Sequence, residues 1–110
     1  MNEDIQQISE RREHPRHMVN LTKSLEINND SVPLFDISWG GLSFYSKKKF
    51  QYGQTIKLNF NNTHVEASVL GTMGSDALPA HPHYPFCVRC QFVKSPDDKQ
   101  IEKLMDQVLG

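Results

Sequence analysis

The sequence has little cysteine, almost no net charge and no long apolar run, and each shortage excludes a class of protein. Two cysteines among 110 residues are too few for a disulfide framework. No apolar run approaches the roughly 20 residues of a membrane-spanning helix. The N-terminal stretch MNEDIQQISE is too polar and acidic for a signal peptide, so the cytoplasm is the expected location. A formal net charge of -1 gives no overall field to attract long nucleic acid, so any anion site must be local.

Six segments are predicted β-strands within one domain, and the clearest of them alternate apolar and polar residues with a period of two. They cover residues 18–27, 32–37, 42–46, 55–60, 64–73 and 86–93. In the first segment, Lys23 is the exception on an otherwise apolar face. Turn-forming sequences such as NNDS and NNT separate the segments. We therefore expect a mainly β fold, a six-stranded antiparallel β-barrel with a C-terminal α-helix.

The two ends of the chain differ in pattern. The C-terminal stretch predicts a helix with Ser95 as N-cap and Pro96 at its first position. The apolar stripe of this helix comprises Ile101, Leu104, Met105 and Val108. The residues before Pro15 predict at most a short, marginal helix. We expect a flexible N-terminal arm, residues 1–17, ahead of a barrel-and-helix domain, residues 18–110.

The arm contains a basic stretch, RREHPRH. Arg12 and Arg16 lie four residues apart, and Arg11 precedes Arg12. Clustered guanidinium groups suit phosphate oxygens or the O6 and N7 edge of guanine. The alternative is a solvated basic segment with no ligand.

A second polar stretch, DISWGG, lies between two predicted strands. The carboxylate of Asp36 can accept two hydrogen bonds from the N1–H and N2 amino groups of guanine, and Ser38 can donate to a phosphate oxygen. Gly40 and Gly41 can take positive φ and turn backbone N–H groups towards an anion. The alternative is a structural turn, because Asp, Ser and Gly are also the residues that close turns.

The two stretches together, R-x-x-x-R at Arg12 and Arg16 and then D-x-S-x-x-G from Asp36 to Gly41, resemble the paired signature of the PilZ domain family. The resemblance covers nearly the whole chain, including the order of arm, strands and terminal helix. It implies a bacterial receptor for cyclic di-GMP that is not an enzyme and needs no cofactor. It also implies that the two arginines hold guanine edges and phosphates, that Asp36 contacts a guanine, and that Ser38 and Gly41 line the phosphate side.

Three further positions bear on this resemblance. Arg11 matches a basic position that, in the family, goes with two stacked ligand molecules. Many relatives carry a glycine a few residues before the phenylalanine of the last strand, where this chain has Arg89, Cys90 and Gln91. Trp39, inside the second motif, either stacks on the ligand or packs on the barrel rim.

A superficially zinc-like set is formed by His81, His83, Cys87 and Cys90. If residues 86–93 form a strand, Cys87 and Cys90 point to opposite faces and cannot chelate one metal, so we expect no metal site. Cys90 shares the apolar face and is expected to be buried. The lysines of 47–49 either add to an anion field or belong to a solvated connector.

The leading hypothesis is a receptor whose arm becomes ordered when cyclic di-GMP bridges it to DISWGG, which relays the signal to a partner protein. By resemblance, that partner belongs to motility or to the exopolysaccharide machinery of biofilms. One alternative is a PilZ-fold interaction adaptor that does not bind the nucleotide. Another is a small barrel that binds single-stranded nucleic acid, against which the near-neutral charge argues. The number of ligand molecules and the oligomeric state stay open.

Overall fold

The computed structural model describes residues 16–19, 23–74, 83–93 and 99–110. Strands form where the sequence alternates with period two, and the helix forms where the period lengthens to that of an α-helix. The elements are β1 His17–Met18, β2 Ser24–Ile27, β3 Asp30–Ile37, β4 Gly41–Ser46, β5 Thr55–Phe60, β6 Thr63–Gly74, β7 Phe86–Phe92 and α1 Lys99–Leu109. The expected arm lies almost entirely outside the described residues, as do Ser95 and Pro96.

The sheet closes on itself. Its strand order is β1-β3-β2-β5-β6-β7-β4, and an additional pairing of β3 with β4 joins the ends. All the pairings are antiparallel. Strands β2 to β7 therefore form the predicted six-stranded antiparallel barrel, and β1 is an extra strand on β3.

The first predicted strand, residues 18–27, is divided into β1 and β2. Met18 pairs with Asp36, and Ser24 pairs with Pro33. Between these pairs the first strand advances six residues, from 18 to 24, while β3 advances only three, from 36 to 33. The two described parts of this segment therefore pair with β3 in registers that differ by three residues and do not form one continuous ladder. The expectation of a single strand was wrong for this reason.

Two tight hairpins fix the register of the neighbouring strands. Asn28 and Asn29 have φ values of 50° and 78°, and Asn61 and Asn62 have values of 50° and 68°. Positive φ at both central residues is the geometry of a type I′ turn, which matches the twist of a β-hairpin and which asparagine tolerates. The turns predicted from NNDS and NNT are confirmed.

Helix α1 closes the core. Its buried side chains are the predicted stripe, Ile101, Leu104, Met105 and Val108. They join one cluster with the inward-facing strand residues, which include Leu25, Leu34, Ile37, Leu42, Phe44, Ile56, Leu58, Val69, Val88 and Cys90. At its C-terminal end, the Lys23 ammonium donates a hydrogen bond to the Val108 carbonyl. In the described part of the chain, no helix is long and apolar enough to cross a membrane.

Candidate functional site

A row of paired residues crosses four neighbouring strands on the outside of the barrel. Ser43 on β4 pairs with Asp36 on β3 and with Arg89 on β7, and Arg89 pairs with Gly71 on β6. Directly paired residues project from the same face of a sheet. The neighbours of Ser43 along β4, Leu42 and Phe44, are fully buried in the core, so this row faces outward.

A β-bulge in β3 places Asp36 in that row. Leu34 pairs with Phe44 and Asp36 with Ser43, so Phe35 is the extra residue. In a regular strand, positions 34 and 37 point to opposite faces. The bulge lets Leu34 and Ile37 both reach the core, where each has no exposed surface, while Asp36 turns outward.

Residues from the two sequence motifs meet at Asp36. The Nη1 atom of Arg16 donates to the Oδ1 atom of Asp36 at 2.9 Å and lies 3.5 Å from the Ser43 hydroxyl. The Arg16 side chain is 40% exposed, whereas that of Asp36 is only 7% exposed. Strand β1 makes this pair possible, because Met18 pairs with Asp36 and brings the preceding residues alongside β3. Arg11 and Arg12, predicted for the same site, lie outside the described residues.

A cavity of about 210 Å³ opens beside this ion pair. It is lined by Arg16, Phe35, Asp36, Ser43, Met73, Cys87 and Arg89. On its β3 side, the rings of Phe35 and Tyr45 pack edge to face, with centroids 5.5 Å apart. Trp39, at the β3–β4 turn, is 40% exposed and does not line the cavity.

The rest of the second motif forms the turn between β3 and β4. The backbone N–H of Ser38 donates to the Gly41 carbonyl at 2.8 Å, and the Ser38 hydroxyl accepts from the Gly40 N–H at 3.2 Å. Ser38 is buried. Gly40 and Gly41 do not use the positive φ that glycine allows, since among the described glycines only Gly53 has one.

Gly41 is instead required because the backbone of β7 leaves no space for a side chain at this position. A Cβ atom at this position would lie 2.0 Å from the Cys90 carbonyl oxygen on β7. The Gly40 carbonyl accepts a hydrogen bond of 2.9 Å from the Phe92 N–H on the same strand. The turn is therefore pressed directly against β7, and these contacts support the structural interpretation of Ser38 and Gly41. Their predicted contacts with a ligand stay predictions.

Burial controls the chemistry of the two thiols. Cys87, at the cavity, has its pKa raised to about 11, mainly by burial and further by the Asp36 carboxylate, with Arg89 and Arg16 acting in the opposite direction. Burial raises the pKa of Cys90, in the core, to about 12. The two cysteines lie on opposite sides of β7, as predicted. His83 is exposed, and His81 lies outside the described residues.

The lysines of 47–49 are at the other end of β4. Lys47 and Lys48 line a larger cavity of about 310 Å³ that contains none of the motif residues. The three ammonium groups lie over the rings of Tyr84, Phe50 and Phe86, at 5.5, 5.6 and 5.6 Å from the centroids. Lys47 lies four residues beyond Ser43, the partner of Asp36, which is about 13 Å along the strand, so these lysines lie away from Asp36.

Sequence reasoning missed several residues of the cavity. Ser43, Met73 and Cys87 come from three different strands, and only the strand register brings them together. Arg89 was noticed in the sequence only as a departure from a glycine. Period-two alternation was the available signal, since it placed Cys87 and Arg89 together on the polar face of β7.

The PilZ domain family model matches residues 10–110. The chain belongs to the PilZ domain family. Two solved structures share the fold of this PilZ domain. A K. pneumonia MrkH–c-di-GMP complex has a TM-score of 0.61 and 19% identity, over 89% of this chain and 52% of that one. Another structure, of MrkH as a c-di-GMP-dependent transcription regulatory factor, has a TM-score of 0.54 and 19% identity, over 87% of this chain and 50% of that one. The chain thus spans about half the length of either protein. No curated protein matches it.

Proposed function

We propose that this PilZ domain is a receptor for cyclic di-GMP that binds its ligand on the outer face of the barrel, beside Asp36. The observation that carries the proposal is the contact between Arg16 and Asp36 at 2.9 Å, which joins residues twenty positions apart in the sequence. Membership of the PilZ family and the fold shared with a c-di-GMP complex of MrkH support it.

The chemistry of the site suits this ligand. Cyclic di-GMP carries two phosphates and two guanines, so binding needs cations and readers of base edges rather than catalysis. Arg16 is partly exposed and has further N–H donors beyond the one that bonds Asp36. Arg12 lies four residues before Arg16, a stretch that spans at most about 14 Å. It can therefore reach the same cavity, and Arg11 lies one residue further away.

In this proposal, the ligand bridges the arm, residues 1–17, and the β3–β4 turn that contains Ser38, Gly40 and Gly41. Ordering the arm costs conformational entropy, which the charge-assisted hydrogen bonds must exceed. The ordered arm then forms part of a new surface for a partner protein of motility or exopolysaccharide systems. The chain acts without catalysis of its own.

A second candidate function is a protein-interaction adaptor that does not bind the nucleotide. It is favoured by the size of the cavity, about 210 Å³, because ligand sites usually occupy about 300–1,000 Å³. It is also favoured by the Arg16–Asp36 pair, in which each group already neutralises the other.

Calorimetric titration with cyclic di-GMP separates the two functions. We expect Arg16→Ala and Asp36→Ala each to remain folded and to bind about ten- to a hundredfold more weakly. The control is Lys103→Ala, an exposed position on α1, which should bind like the unmodified protein. Unchanged affinity in both site variants would refute the assigned site. Absence of heat and of chemical-shift changes with the unmodified protein would favour the adaptor.

A further inference from the structure

Arg89 occupies the position on β7 that faces the candidate site. It pairs with Ser43 on one side, and Ser43 in turn pairs with Asp36. Two strand spacings of about 4.8 Å therefore separate the backbones of Arg89 and Asp36, roughly 10 Å in all. An arginine side chain spans much of that distance, and Arg89 accordingly lines the same cavity as Asp36 and Arg16.

The charges around the cavity do not cancel. Its described lining contains three charged side chains, Arg16, Asp36 and Arg89. Arg16 is paired with Asp36 at 2.9 Å. Within residues 16–19, 23–74, 83–93 and 99–110, the guanidinium of Arg89 forms neither a hydrogen bond nor an ion pair, and the residue is exposed. Arg89 is thus the uncompensated cation among these groups.

The strand next to Arg89 leaves room for a ligand. Gly71, its partner on β6, has no side chain, and a Cβ atom built there would meet nothing within 4 Å. A second bulge, between Val69 and Gly71, interrupts the ladder at the same level. As far as the described residues go, the outer face is therefore open on the β6 side of Arg89, so a ligand lying over Ser43 can extend past it.

We propose that Arg89 is a further ligand-binding residue, which holds a phosphate of the cyclic dinucleotide from the β7 side. The inference rests on the proposed function. A base held at Asp36 is joined through its ribose to a phosphate, and Arg89 offers a planar set of donors to such an oxyanion across the row. Because Arg16 starts out paired, Arg89 also provides the net attraction for the approaching anion.

The test is a calorimetric titration of the full chain with cyclic di-GMP at about 50 and 300 mM NaCl, a range over which screening changes strongly. Arg89→Gln should bind about tenfold or more weakly at low salt. Its affinity should also depend less on salt than that of the unmodified protein. Arg89→Lys keeps the charge but loses the planar fork, so it should recover the salt dependence and part of the affinity.

A matched control is Lys57→Gln, which removes one exposed positive charge from β5, outside the cavity lining. It should change neither affinity nor salt dependence. Unfolding midpoints of all variants should equal that of the unmodified protein, since the substituted residues are exposed.

The outcomes distinguish the two proposals. If the unmodified protein does not bind cyclic di-GMP, both proposals fail. If it binds and Asp36→Ala weakens binding, but Arg89→Gln binds as tightly as the unmodified protein, only the role of Arg89 is refuted. A weakened Arg89→Gln whose salt dependence is unchanged, with no recovery in Arg89→Lys, also overturns the assignment of a phosphate contact.

Discussion

Replacing Gly41 with alanine should destabilise the barrel, whatever this residue contributes to ligand binding. The added Cβ would lie 2.0 Å from the Cys90 carbonyl oxygen, 3.0 Å from its carbonyl carbon and 3.1 Å from the Gln91 Cα. All three atoms are backbone, so no flexible side chain can move aside. A carbon–oxygen contact normally needs about 3.3 Å, so β4 and β7 must separate by about 1 Å.

The loss of stability follows from the packing and the hydrogen bond that this separation disrupts. Overpacking a well-packed site costs about 1–3 kcal/mol. The hydrogen bond from the Phe92 N–H to the Gly40 carbonyl, 2.9 Å long, would stretch beyond bonding distance. Losing such a bond costs about 0.5–1.5 kcal/mol. We therefore expect Gly41→Ala to lower the free energy of unfolding by about 2–4 kcal/mol, a large part of a total of about 5–15 kcal/mol.

Urea unfolding measures the effect. With a slope of about 1.5 kcal/mol per molar, the unfolding midpoint should fall by between about 1 and 3 M. The matched control is Gly71→Ala, whose Cβ meets nothing within 4 Å. It should be neutral or stabilising by up to about 1 kcal/mol, because alanine restricts the unfolded chain. Equal midpoints for the two variants would refute the argument that Gly41 is needed for the close approach of β7.

Two more predictions concern stability away from the ligand. Lys23→Met keeps an unbranched side chain but removes the ammonium that donates to the Val108 carbonyl. It should lower the free energy of unfolding by about 1 kcal/mol in urea, whereas Lys103→Met, exposed on α1, should not. The raised pKa values of Cys87 and Cys90, about 11 and about 12 against 9.0, mean that the unfolded chain releases these protons first. Stability should therefore be retained below pH 9 and fall above it, by up to about 1.4 kcal/mol per pH unit per thiol. Cys87→Ala should have a shallower pH dependence between pH 9 and about 11, and a slope equal to that of the unmodified protein would contradict the assignment.

Elements that depend on local pattern were predictable. The two asparagine turns require only residues that tolerate positive φ, and the stripe of α1 requires only helical spacing. The division of the first strand was not predictable, because it depends on the register of β3. Lys23 illustrates the same limit. Its place on an apolar face makes sense only once α1 is known to end beside it, where its charge suits the C-terminal end of a helix.

The candidate site was likewise predictable only in part. The family signature predicted that Arg16 and Asp36 belong to one site, and in the structure the two side chains are in contact. The cavity around them also depends on the bulge at Phe35 and on the register that sets Ser43 against Arg89. A bulge inverts the faces of all following residues, so alternation alone could not place both Phe35 and Asp36 in the lining.

The turn that carries the second motif also constrains how the protein can respond to a ligand. It joins β3 to β4, the pair that closes the barrel, and Gly41 holds it against β7 with no space to spare. Moving this turn would open the barrel, at a cost comparable to that of Gly41→Ala. Strand β1, by contrast, is two residues long, and both of its residues are exposed. Rearranging β1 disturbs few buried contacts, and elements of this kind open at low free energy. If the ligand binds beside Asp36, the change it transmits should therefore pass through Arg16 into β1 and the arm, while the barrel stays closed.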